Sequence, residues 1–248
     1  MKYLSYLIIF LMLLSGCEAS DDTHSNQQTE VVIPVVTPVP TPDCYFHVDG
    51  VSVEDVILYF NEVCLDAEFV NGGNPNNVQK WDEPIYYRMH GSYDNIDIAV
   101  IETFAAYLNG VQGFPGMYEA GNDGYANLNI HFTDETGMVN LLGNDFYGCD
   151  GGVTFWYESD CIYDETICIR TDLDRELRNS VLLEELYNGL GPVQDTVLRS
   201  DSIIYSDFAR TQDLSDIDRL LIELLYHPDI VCGMNASECE GIIRDLYK

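Results

Sequence analysis

With 248 residues and 46% hydrophobic content, the chain has enough apolar material for a buried core, which excludes a disordered protein. Its 42 acidic residues against 11 basic ones give a net charge of −31. That balance excludes nucleic-acid or anionic-lipid binding through clustered Lys and Arg, and leaves solubility, calcium or a cationic partner as readings of the charge.

Met1 to Cys17 reads as a secretory signal: Lys2 is the positive end, Leu4 to Leu14 the apolar run, and Leu14-Ser15-Gly16-Cys17 a small-residue cleavage site. The run is short for a transmembrane helix. The tetrapeptide resembles the lipobox of bacterial lipoproteins, in which the bond before the cysteine is cut and the cysteine lipidated. The resemblance implies residues 1–16 as signal peptide, Cys17 as the membrane anchor, and a place in the bacterial cell envelope. Residues 17–43 form a tether, polar at first and then VVIPVVTPVPTP, whose prolines favour extended backbone and prevent a core.

The folded domain is expected over residues 44–248. Val53 to Phe69 places Val53, Val56, Ile57, Phe60, Val63 and Cys64 on one helical face, with Ser52 as N-cap. Asn71 to Asn77 is a loop. Trp81 to Met89 reads as a strand, with Pro84 marking an edge or a strand start. Ile96 to Leu108 is a second helix, and Ala126 to Phe132 alternates as a strand. Gly148 to Ile169 holds two more strands separated by an acidic turn containing Cys161. Leu173 to Leu190 is a helix buried through Leu177, Val181, Leu182, Leu186 and Leu190; helices over Leu214–Tyr226 and Ser237–Leu246 close the chain. This order predicts an α+β domain, a few-stranded mixed sheet packed with helices.

Export favours disulfides over metal thiolates among the remaining cysteines. The spacing predicts Cys232–Cys239, closing a small loop, and Cys44–Cys64, pinning the domain start to its first helix. Cys149, Cys161 and Cys168 are left without an assigned pairing, with one thiol in excess.

The richest stretch is Leu182 to Tyr205, LLEELYNGLGPVQDTVLRSDSIIY. It resembles the HExxHxxGxxH segment and methionine turn of metzincin metalloproteases, where two histidines one helical turn apart and a third after a glycine hold zinc, and a glutamate is the general base. The resemblance puts Glu184, Asn188 and Gln194 at the three histidine positions, Glu185 at the general base and Gly191 at the glycine. Asp195 follows, and Ser202 to Tyr205 occupies the turn, with Ile204 for the methionine. The fold is then metzincin-like with its zinc ligands lost, since Asn and Gln bind zinc poorly. Oxygen groups of Glu184, Asn188, Gln194 and Asp195 suit calcium better. The histidines, His24, His47, His90, His131 and His227, show no HExxH spacing, and His131 reads as a structural strand residue.

Glu184, Glu185, Leu190, Gly191, Asp195, Ser202, Ile203, Leu225, Tyr226, Pro228, Gly233 and Met234 resemble the pattern of a bacterial lipoprotein family, the domain-of-unknown-function 2927 group. This resemblance spans about Trp81 to Leu246 and implies no known reaction. The expected function is a non-catalytic binding or structural module, recruiting a peptide or protein partner through the former active-site cleft, with no cofactor. The alternatives are a hydrolase that keeps Glu185 with an atypical metal site, and a calcium-dependent adhesion or assembly factor.

Overall fold

A computed structural model describes residues 46–66, 76–122, 124–206 and 210–248. The signal, Cys17, the tether, Cys44 and most of the Asn71–Asn77 loop lie outside them.

Helix α1, Val53–Leu65, starts at a reciprocal cap: Ser52 Oγ accepts from the Asp55 amide at 3.2 Å, and the Asp55 carboxylate accepts from the Ser52 amide at 3.3 Å. Val56, Ile57, Phe60, Val63 and Cys64 are buried. The strand expected over Trp81–Met89 is instead two strands, β1 at Lys80–Trp81 and β2 at Ile85–Gly91. Asp82-Glu83-Pro84 separates them because proline has no N–H to give a ladder. Helix α2, Asn95–Leu108, is capped by Asp94. Strand β4, Leu128–Thr133, buries Leu128, Ile130 and Phe132 in alternation. Two elements carried no readable pattern: β3, Met117–Glu119, is three residues long, and α3, Glu135–Leu142, buries only Met138. Strands β5, Gly151–Glu158, and β6, Cys161–Arg170, form a hairpin. Its turn is Ser159-Asp160 alone, both at positive φ (53° and 64°), so Cys161 opens β6 rather than sitting in the turn. Helices α4, Arg175–Asn188, α5, Asp216–Leu225, and α6, Ala236–Leu246, follow.

The fold is α+β, with a six-stranded mixed sheet and six α-helices among the described residues. Neighbours run β3-β2-β4-β6, all parallel; β6 also pairs with β1 in parallel at its first two residues and with β5 in antiparallel register. Successive strand residues point to opposite faces, and two adjacent glycines show what covers each. A Cβ on Gly151 would meet Val181 and Glu185 of α4, whereas one on Gly152 would meet Leu142 of α3 and Phe146 just after it. Helix α4 therefore lies on the inner face, over Ile130, Phe132, Ile167 and Ile169. Asp97 of α2 ties the two helices together: it accepts from Arg178 Nε at 3.0 Å and Nη2 at 2.6 Å, and from Arg175 at 2.7 Å, while fully buried. Arg178 also lies over the Phe132 ring at 4.9 Å.

The cysteine pairing differs from the expectation. Cys232 is bonded to Cys161, 71 positions earlier, and not to Cys239. Parallel pairing of β1 with the start of β6 places Cys161 beside Lys80, and Cys232 Sγ lies 3.5 Å from the Lys80 carbonyl oxygen. Cys239, on α6, is buried with a free thiol, as are Cys64 and Cys168; Cys149 forms no disulfide. Among the described residues, no helix is long and apolar enough to cross a membrane.

Candidate functional site

Glu184, Glu185 and Asn188 lie in the last turns of helix α4, which is buried on more than one side: Val181 and Glu185 both pack against Gly151 of β5, and Leu182 and Leu186 enter the core. Glu185 does not lie at an exposed edge: it is 9% exposed, packed against Gly151 of β5. Burial raises its carboxyl pKa well above 4.5, the charges of Glu184 and Asp195 add to this, and a hydrogen bond from Asn188 opposes it. Burial thus favours the protonated form of this acid.

Gly191 ends the helix region at φ 125°, and a Cβ there would come within 2.2 Å of the Gln79 carbonyl oxygen. Only glycine satisfies both demands. Gln194 turns its amide to the Asp195 carbonyl oxygen at 3.1 Å. The chain then runs out and returns, with the Thr196 amide donating to Ile204 O at 3.0 Å and the Ser206 amide to Thr196 O at 2.9 Å.

The structure gathers Glu184, Glu185, Asn188 and Asp195 about one spot and assigns Ser202 elsewhere. Ser202 Oγ accepts from Tyr59 at 2.7 Å and donates to Asp218 at 2.6 Å; Asp218 also accepts from the Ile203 amide at 3.1 Å. This fully buried chain joins α1, the Ser202 segment and the start of α5. Ile204 is buried as well. Both residues hold the fold rather than face a ligand.

A residue outside the stretch completes the acidic spot. Glu165 of β6 is 2% exposed, its head seated where a Gly189 side chain would be, and its pKa is raised well above 4.5, mainly by burial. Its Oε1 and the Asn188 Oδ1 are both buried without a hydrogen-bond partner. The strand pattern held the signal: Glu165 shares the parity of Ile167 and Ile169, an acid on an otherwise apolar face. Glutamates, Asn188 and Gln194 form an oxygen donor set that does not fit a tetrahedral zinc centre of histidines. Neither of the two cavities described touches Glu184, Glu185 or Asn188. One, about 380 Å³, lies between Phe46–Asp49 and α5; the other, about 430 Å³, lies between the end of α1 and the start of α6.

The model of a protein family described as "Protein of unknown function (DUF2927)" matches residues 54–245, from the first turn of α1 to the last of α6. The chain belongs to that family. The DUF2927 match takes in every strand and all of the acidic spot. No curated protein matches this DUF2927 chain.

Proposed function

We propose that this DUF2927 protein is a bacterial envelope lipoprotein, anchored through Cys17, whose metzincin-like domain has lost its zinc site and serves as a non-catalytic binding module for an extended peptide segment. The observation that carries the reading is the edge strand. Among the described residues β5 pairs with β6 alone, so the other edge of Gly151–Glu158 carries no strand partner; its last residues, Trp156–Glu158, are exposed and its first run directly against α4. Open strand edges bind extended chains through backbone hydrogen bonds. The Ser202 segment and the Gly191 turn support a metzincin-like scaffold, and an oxygen donor set without histidines around the buried Glu185 supports a role without zinc-dependent hydrolysis.

The test is a peptide array on the purified protein, followed by calorimetry and mass spectrometry of the best peptide. The expected result is a peptide that binds intact, loses binding when alternate amides are N-methylated or when Thr154→Pro interrupts β5, and binds the Glu185→Ala variant equally well. Cleavage products that vanish with Glu185→Ala would establish the hydrolase instead. The anchor is read separately: Cys17→Ala should lose fatty-acid labelling and membrane association.

A second reading rests on the two orphaned acceptors. Glu165 Oε1 and Asn188 Oδ1 beside Glu185 are the oxygen chemistry a calcium ion takes. Stoichiometric calcium uptake lost in Glu165→Gln supports it; no uptake removes it.

A further inference from the structure

The outer face of the sheet brings together two histidines that lie 41 positions apart in sequence. His90 of β2 and His131 of β4 are direct partners in the parallel register. Their rings stack with centroids 4.4 Å apart and planes 13° from parallel. Both are half-buried, so neither ring is free to swing into solvent at no cost. His90 Nε2 lies 3.0 Å from Asn129 Oδ1, on the neighbouring strand. With Nε2–H donating to that oxygen, the lone pair of His90 sits on Nδ1. A metal-binding imidazole is oriented in this way, its other nitrogen donating to a carbonyl oxygen.

We propose that His90 and His131 form a two-imidazole site for a borderline first-row transition ion, zinc or copper(II), with water completing the coordination. Imidazole nitrogen suits these ions and not calcium or magnesium. Binding one ion requires the stacked rings to rotate about their Cβ–Cγ bonds from parallel to convergent, because the ion must lie near the plane of each imidazole. Cys168, next in the same row on β6, stays outside the set: it is fully buried and burial pushes its thiol up to about 12. Arg88, the nearest cation along β2, is directed to the carbonyl oxygens of Gly121 and Gly124 at 3.0 and 2.7 Å. The acid excess of the chain raises the local concentration of cations around the face. The site is independent of the α4 reading, on the other side of the sheet.

The experiment is calorimetric titration of zinc into the full-length protein, with copper(II) spin resonance as the second readout. One zinc per chain is expected, and His90→Gln and His131→Gln each weaken it by about tenfold or more, whereas Glu185→Ala leaves it unchanged. The copper signal shows coupling to two imidazole nitrogens in the parent and to one in each variant. Zinc raises the melting temperature of the parent and not of the variants. If His131→Gln melts below the assay temperature, His90→Gln alone decides. Zinc affinity equal to the parent in His90→Gln, or no binding at about 1 mM zinc, would overturn the site.

Discussion

Glu165 shows at the scale of one residue how position overrides composition. In a chain with 42 acids most carboxylates are solvated, yet this one is sealed under Gly189 with an unpartnered oxygen. An unfolded chain releases the Glu165 proton near the ordinary 4.5, while the folded chain holds it to higher pH. The folded state thus binds more protons, and the stability Glu165 contributes is fully present below about pH 4.5 and lost as pH rises towards the folded value. Glu165→Gln should match the parent at pH 4 and melt about 2–4 °C higher at pH 8, a difference read by paired melting curves. The exposed, ion-paired Asp94 and Asp174, whose carboxyls are held low, act in the opposite direction at acid pH; they are common to both proteins and cancel. Glu185 was legible from the sequence as a residue of interest but not as a buried one, because apolar periodicity does not show that β5 brings Gly151 against the side of α4 that carries Val181 and Glu185. The same limit hid the histidine pair, since register across parallel strands is not written in either strand.

Among elements, the long amphipathic helices were readable and the connections between them were not. The buried faces of α1 and α5 follow directly from apolar spacing, and Ser52 caps α1 as the sequence indicates. The β1–β2 break needed the competition between strand pattern and Pro84, and β3 is too short for any period. Two locks set how elements sit together. Asp97 between α2 and α4 is the first: removing one partner of a buried pair leaves the other charge uncompensated. Asp97→Ala should therefore lower unfolding stability by about 3–5 kcal/mol, measured as a shift in urea midpoint at constant slope. The second is the Cys161–Cys232 bond, which holds the start of β6 to the segment between α5 and α6. Closing a loop of 71 residues is worth about 4 kcal/mol through the unfolded chain. Reduction, or serine at both positions, should cost up to that amount, and non-reducing peptide mapping should return a Cys161–Cys232 pair. The predicted Cys232–Cys239 loop failed because sequence proximity says nothing of β1, which carries Lys80 and the Cys232 segment to β6.

For the whole molecule the dominant fact is charge. Among the described residues several arginines are spent in local pairs, such as Arg170 with Asp172, Arg199 with Asp201 and Arg244 with Glu240, and the 42 acids of the chain far outnumber its 11 bases. Exposed pairs of this kind stabilise little, whereas self-repulsion in a body of net charge −31 opposes the compact state. Raising sodium chloride from about 10 mM to 1 M shortens the screening length from about 30 Å to about 3 Å, so the melting temperature should climb steadily over that range instead of falling as it would if surface ion pairs dominated. Matched ionic strength separates screening from recognition. If the acid excess serves solubility alone, calcium and magnesium chloride should raise the melting curve equally. A calcium-specific rise at millimolar concentration, abolished in Glu165→Gln, would instead place an ion among Glu165, Glu185 and Asn188 and turn the acidic spot from a relic into a binding site.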